Sequence, residues 1–351
     1  GGNPCLTTTD GPRLDRALER LDLMVSVDPY LNATTRHADV ILPPPSALER
    51  PHYDLAFTAL SVRNVADYSP TVVDRGEGRP SEFQILVRLT GIALGLGSDV
   101  DPDALAESAL VAQLASASAD PSSPIHGRDP GELAELLDGD DAEERSLDLL
   151  LRTGHRGDAF GARPGGLSLA LLRRHPHGLD LGPLEPRLPD ALATVSGAIE
   201  LAPVVLLDDL GRLQGALELP ADGAMVLIGR RQLRTANSWT HNVEQLVRGR
   251  DACTAQLHPD DAARLGLDGS PTVRISTRAG SIELPVEVTD GISPGVVSVP
   301  YGWGHGAPGS RQAVAAAHPG VNVNVLTDGS RIDPISGTAA LNGIPVSVTA
   351  V

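Results

Sequence analysis

From residue 224 to the C-terminus the chain is written in short runs of Val and Ile cut by turn residues, and this texture limits the fold more than any other feature. The runs at 224–228, 272–277, 282–288 and 296–299 are short for helices and rich in β-branched side chains, with turn pairs at Ala279 and Gly280 and at Asp290 and Gly291. Between them, His258, Pro259, Asp260 and Asp261 mark a helix start, with proline in the first turn and acids at the positive end. Several short strands with one small helix among them predict a closed barrel.

The first hundred residues alternate differently. A helix is expected at 13–20, an apolar strand at 21–27 closed by Asp28, and a second strand at 39–42 ended by Pro43, Pro44 and Pro45. Ligands of open α/β sheets sit beyond the carboxyl ends of strands, which puts Asp28 and the loop 30–35 in a binding position. A strand-like run covers 55–62, and 82–95 reads as a helix with Phe83, Leu86, Val87 and Leu94 on one face. From 97 to 203, Asp, Ser, Pro and Gly punctuate short Leu/Ala-rich helices at 104–114, 131–137 and 142–151. The expected organisation is an α/β domain portion over 1–97, a helical connector over 98–205 and a C-terminal barrel over 206–351.

A length of 351 residues leaves room for two cores. All 28 basic residues are arginine, and without lysine the chain forms neither a GxxxxGK[ST] phosphate loop nor a Schiff base. A net charge of −17 disfavours nucleic acid and anionic membrane surfaces as partners. One stretch is the exception: between Gly229 and Arg250 five arginines face one acid, Glu244, so an anion is welcome there. No apolar run approaches the roughly 18 residues of a membrane span. Cys5 and Cys253 are too few for a four-thiolate cluster or a disulfide framework, which makes a reducing compartment, the cytoplasm, the expected location. The chain starts at Gly1 with no basic-then-apolar leader, and reads as a piece of a longer protein.

Freestanding catalytic motifs such as HExxH and GxSxG are absent. The acidic cluster Asp138, Asp140, Asp141, Glu143 and Glu144 lacks the glycine and terminal glutamate of a calcium loop and reads as a solvated helix start. His175 and His177 flank Pro176 in what reads as a surface turn. The stretch 229–242 is richer, with Arg230, Arg231, Arg234, Thr235, Asn237, Ser238, Thr240, His241 and Asn242 following a strand. Guanidinium groups chelate phosphate oxygens, and hydroxyls and amides reach heterocycle edges. An ordinary polar surface loop is the equally weighted alternative.

Five segments in order resemble landmarks of the molybdopterin oxidoreductases, the formate dehydrogenase and nitrate reductase group: GGNP at Gly1, VDPYLNATTRHADVILPP at Val27, SGAIELAP at Ser196, LIGRRQLRTANSWTHN at Leu227 and VNVNVLTDGSRIDPISGTAALNGIPV at Val321. The resemblance implies a bis(molybdopterin guanine dinucleotide) cofactor with Mo or W, clasped between the end of an α/β cofactor domain and a C-terminal double-psi β-barrel. Carried across residue by residue, Asp28, Asn32 and Thr35 lie near one dinucleotide tail; Gly229, Arg230, Arg234, Ser238, Trp239 and His241 line the dinucleotide groove; and Asn324, Thr327 and Asn342 reach the pterin region. GWGHG at 302–306 matches a further family loop and reads equally as a glycine turn. The family's iron–sulfur cysteines and metal ligand precede the first landmark, so Cys5 is not a metal ligand and no catalytic residue is assigned. The implied protein is the cofactor-holding C-terminal portion of a formate dehydrogenase-like enzyme, partnered by its own N-terminal region and an electron-transfer protein, and inactive by itself. The alternative is a structural or electron-relay subunit that keeps the fold without metal.

Overall fold

The computed structural model describes residues 2–217, 224–267 and 272–351. They pack as two compact units, one of Gly1–Pro43 with Thr194–Val351 and the other of Pro44–Ala193. Packing thus divides the chain at 43/44 and 193/194, where sequence texture suggested 97/98 and 205/206.

The first unit is built on a closed six-stranded barrel in the order Ser281–Val288, Ala255–Leu257, Val296–Pro300, Met225–Arg230, Ile344–Ala350, Thr272–Ser276. Two pairs are parallel, Val296–Pro300 with Met225–Arg230 and Ser281–Val288 with Ala255–Leu257, and the remaining pairs are antiparallel. Alternation along four of the strands explains closure: Met225 and Leu227, Val273 and Ile275, Ile282 and Leu284, and Ile344, Val346 and Val348 all turn inward and are buried, while Val296–Pro300 is buried at four consecutive positions. Each aliphatic side chain so buried contributes about 1.5–3 kcal/mol. A one-residue slip would expose the whole row, which fixes the register. The expected strands are all present within a residue or two, and Ala255–Leu257 and Ile344–Ala350 complete the barrel. The small helix runs over Pro259–Arg264, but Asp261 does more than face its N-terminus: it is buried and accepts the Gly295 N–H at 2.6 Å.

In the same unit, residues 2–43 form the helices Pro4–Thr7 and Gly11–Leu18 and a two-stranded parallel ribbon of Val25–Ser26 and Val40–Ile41. The expected strands 21–27 and 39–42 shrink to these two-residue pieces. Leu21, Leu23, Val25 and Val40 stay exposed, with no further strand pairing on either side among the described residues.

The second unit is mainly helical. Glu82–Ala93 starts with a capping box in which Ser81 accepts the Gln84 N–H and Gln84 returns the bond. Its buried face is Ile85 and Gly91, not the expected Phe83, Leu86, Val87 and Leu94; Leu86 and Leu94 are exposed. Pro102–Ala119 buries Ala106, Leu110, Leu114 and Ser118 at four-residue spacing. Pro130–Glu135 and Ala142–Thr153 follow, capped by Asp129 and Asp141. Residues 55–62 are no strand: Thr58–Leu60 is a 3-10 turn, Leu55, Phe57, Leu60 and Val62 are exposed, and the strand begins at Arg63–Ala66, pairing with Leu179–Pro183.

The acidic stretch 138–144 is less solvated than its composition suggests. Glu144 is buried, accepting the Tyr68 hydroxyl, the Asp140 N–H at 2.8 Å and Arg173 Nη2 at 2.6 Å. Asp148, fully enclosed, accepts from Asp138 N at 2.9 Å, Leu169 N at 2.7 Å and Arg152 Nε at 2.7 Å. Among the described residues, no helix is long and apolar enough to cross a membrane.

Candidate functional site

The polar loops gather at one end of the barrel, in the first unit. Asp28, Asn32 and Thr35 are brought together and are all buried. Asn32 Oδ1 accepts the N–H groups of Thr34 and Thr35, Thr35 Oγ1 donates to Tyr30 O at 2.6 Å, and Asp28 Oδ1 accepts the Tyr30 N–H at 2.8 Å. These bonds are local, so the three side chains hold the turn in shape. Arg36 carries it to its neighbours, with both carboxylate oxygens of Asp15 at 2.7 Å from Nη2 and Pro308 O at 3.1 Å from Nη1.

Asn324 and Thr327 are also buried, and they pin the N-terminal segment to the barrel. Asn324 Nδ2 donates to Leu6 O at 2.8 Å, Thr327 Oγ1 accepts the Asp10 N–H at 3.1 Å, and Asn322 Nδ2 donates to Cys5 O at 3.2 Å. Asn342 lies at the end of the strand Met225–Arg230, where its Oδ1 accepts the Gly229 N–H at 2.7 Å.

Arg230 departs from the expectation of an exposed phosphate arm. Its guanidinium is half-buried and folds back along the barrel, donating to Ser298 O at 3.1 Å, Thr254 O at 3.0 Å and Thr254 Oγ1 at 3.1 Å. Burial pulls its pKa below the ordinary arginine value, and Glu287, bonded to the same threonine at 2.7 Å, opposes that shift. Arg230 is a brace between strand ends. Arg234 is the opposite case: exposed, with no hydrogen bond or ion pair to its guanidinium among the described residues.

Arg234 lines a hollow of about 440 Å³ together with Arg248, Arg250, Leu246, Trp303 and His318. Arg248 is likewise without a side-chain partner among the described residues, and Arg250 reaches Glu287 only at 3.7 Å. A second hollow of about 370 Å³ has Ser238 and Trp239 on one side and Gly2, Asn3 and Thr7 on the other. Of the expected groove residues, Arg234 lines the first hollow and Ser238 and Trp239 the second, while Gly229, Arg230 and His241 line neither. The turn between them needs its glycine neighbour: Ala236 and Asn237 have positive φ, and a Cβ on Gly302 would lie 2.2 Å from Asn237 O.

His241 lies behind these hollows. It is 1% exposed, its ring sits 4.3 Å from Trp303 between centroids, and its Nδ1 is hydrogen-bonded to Nε2 of His305, itself 3% exposed. Trp303 Nε1 donates to Gln232 Oε1 at 3.0 Å. Arg248, Arg250, Trp303 and His305 were not singled out from the sequence. The five-arginine count pointed to the first two, and GWGHG contained the others.

Burial pushes the His241 pKa down to about 3, with His305 adding to the shift, and burial pushes His305 down to about 4. Below about pH 6.5 the unfolded chain takes up protons that the folded pair refuses, so stability is full above that pH and is lost as the pH falls toward the folded values. The loss amounts to at most about 1.4 kcal/mol per pH unit per ring. Urea midpoints followed by tryptophan fluorescence are expected to fall steeply from pH 7 to pH 5, and less so in the His241→Asn/His305→Gln double variant. Equal slopes would remove the pair as the cause.

The fold and site together are those of a closed barrel whose loops build an arginine-lined hollow. Residues 225–345 match the family model described as the Molydopterin dinucleotide binding domain. The chain is 29% identical over 131 residues to a tetrathionate reductase subunit of Salmonella typhimurium, covering 32% of this chain and 13% of that protein. It is 27% identical over 319 residues to biotin sulfoxide reductase of Cereibacter sphaeroides, covering 86% of this chain and 38% of that protein. The fold matches acetylene hydratase from Pelobacter acetylenicus with a TM-score of 0.64 and 17% identity, over 99% of this chain and 43% of the other. The barrel matches the molybdopterin dinucleotide-binding domain over residues 225–345, and the chain is similar to the C-terminal region of molybdopterin oxidoreductases. It spans well under half the length of these relatives.

Proposed function

We propose that this chain is the part of a molybdenum or tungsten oxidoreductase that holds bis(molybdopterin guanine dinucleotide). The observation that carries the reading is the hollow beside Trp303, where Arg234 and Arg248 have no carboxylate partner among the described residues of a chain with net charge −17. Clustered guanidinium groups repel one another until an anion joins them, and a pyrophosphate offers oxygens for charge-assisted bonds. The donor set fits the cofactor: Arg234, Arg248 and Arg250 for phosphate, the exposed Trp239 ring for a flat heterocycle, and Ser238 with Asn237 for polar edges. About 440 Å³ falls within the range of roughly 300–1,000 Å³ common for small-molecule sites. The arrangement argues against a metal-free structural role, because a lost cofactor leaves these arginines without a counter-charge. Two parallel pairs set among antiparallel neighbours support the double-psi form of the barrel.

The bound metal supplies two-electron chemistry. This chain's own residues bind and orient: the arginines fix the dinucleotide end, and the buried Asn324 and Thr327 hold the N-terminal segment in place beside it. By itself the chain lacks the thiolates for an electron-carrying cluster, and we read it as inactive without an N-terminal region and an electron-transfer partner. The formate dehydrogenase-like substrate belongs to this proposal and rests on the landmark segments. A cytoplasmic location is supported by Cys5 and Cys253 each being a buried free thiol.

Titration of the purified chain with guanosine diphosphate, followed by calorimetry at low salt, tests the reading. Arg234→Ala and Arg248→Ala are each expected to weaken binding by about 10–100-fold, since a hydrogen bond to a charged group contributes roughly 1.5–3 kcal/mol. The double variant should abolish detectable binding. Equal affinity in all four proteins would overturn the assignment.

A further inference from the structure

His241 and His305 are buried, and each keeps one ring nitrogen without a well-formed hydrogen bond. Nδ1 of His241 meets Nε2 of His305, while His241 Nε2 and His305 Nδ1 are buried without a well-formed hydrogen bond among the described residues, and the Gly302 backbone interacts with the His305 ring. The rings stand edge to face, 4.5 Å apart between centroids, and His241 also lies against Trp303. Buried polar atoms without partners are rare and costly, at about 1–3 kcal/mol each, so two on touching residues point to a device.

We propose that this pair is a tautomerically coupled unit that takes a neutral hydrogen-bonding group, such as water, an amide or a hydroxyl, at each outer nitrogen and passes hydrogen-bond polarity from one to the other. A neutral imidazole has one N–H and one lone pair. If His241 donates from Nδ1, its Nε2 is a lone pair, and His305, accepting at Nε2, must carry its proton on Nδ1. If His305 donates from Nε2 instead, its Nδ1 is a lone pair and His241 carries its proton on Nε2. Both rings are therefore Nδ1–H or both are Nε2–H. A donor arriving at His241 Nε2 makes a donor of His305 Nδ1, and an acceptor arriving there makes an acceptor.

The same coupling moves a proton without leaving a charge. A proton delivered to His241 Nε2 sends the Nδ1 proton across to His305 Nε2, and the His305 Nδ1 proton departs; one enters, one leaves, and the reverse route resets the pair. The surroundings favour this neutral exchange, because an imidazolium enclosed beside Trp303 and away from water is penalised by desolvation. This inference does not depend on what the arginine hollow binds.

Nitrogen NMR of the purified chain labelled with 15N-histidine reads the tautomer of each ring, and coupling across the N–H···N bond identifies the pair among the ten histidines. Both rings are expected to be neutral at pH 7 with equal Nδ1–H fractions. Opposite tautomers, an imidazolium in either ring, or no coupling between them would overturn the proposal. His241→Asn and His305→Gln each keep an amide at the inner contact and remove one outer nitrogen. Each is expected to shift the tautomer fraction of the remaining ring, and an unchanged fraction in both would also overturn it. Should either variant misfold, the wild-type spectrum decides by itself.

Discussion

Arg230→Ala is expected to destabilise the barrel unit by about 2–3 kcal/mol, a large fraction of a typical domain's stability. The substitution removes donors from the Ser298 and Thr254 carbonyls and from Thr254 Oγ1, in a partly buried setting where water replaces them poorly. Glu287, bonded to the same threonine, loses one countercharge and keeps Arg250 at 3.7 Å. The measurement is direct, because the chain has two tryptophans, Trp239 and Trp303, and both lie in the barrel unit. Urea unfolding followed by their fluorescence should show an earlier midpoint for Arg230→Ala and a midpoint within about 0.5 kcal/mol of wild type for the exposed Arg234→Ala. Identical curves for the two variants would return Arg230 to the role of a free phosphate arm.

Asp148→Ala is expected to cost the helical unit about 3–5 kcal/mol, the usual penalty for removing one partner of a buried ion pair. Three elements lose their common acceptor at once: the turn at Asp138, the start of the helix Leu169–Arg173, and Arg152 within Ala142–Thr153. Arg152 keeps Asp158 at 2.8 Å and its place over the Phe160 ring, so it remains partly held. Far-UV circular dichroism should show helix melting at lower urea while the tryptophan transition stays where it was. Loss of the tryptophan transition together with the helical one would show that the two units do not unfold separately, and an unchanged helical transition would refute the role given to Asp148.

What the sequence made legible followed burial. Strands with an alternating inner row, such as Thr272–Ser276 and Ser281–Val288, were visible because one face of each packs into the barrel. Ala255–Leu257 was not, since three residues with a glutamine at the centre carry no pattern to read. Residues 55–62 misled for the converse reason: their apolar side chains suggested a core that the unit does not build around them. At the site, composition identified the arginine-rich stretch but could not separate Arg230 from Arg234. Four positions apart in sequence, Arg230 ends a strand and reaches Thr254, while Arg234 lies exposed in the loop beyond. The GWGHG loop concealed Trp303 and His305 because its glycines were explained by turn geometry, which is correct for Gly302 but says nothing of the residues between.

The route of the chain through the two units sets an order on its synthesis. Residues 44–193 are contiguous, so every partner in their cores is available as soon as that stretch leaves the ribosome. The barrel has no such freedom. Ile344–Ala350 fills the gap between Met225–Arg230 and Thr272–Ser276, and the segment that begins the chain docks on Asn322, Asn324 and Thr327. Such contacts, more than 300 residues apart, carry the closure entropy that slows folding. Long after the helical unit is finished, residues 2–43 must wait with their barrel open, and a nascent chain stalled even ten residues short of Val351 keeps an unpaired strand edge where the sheet should close.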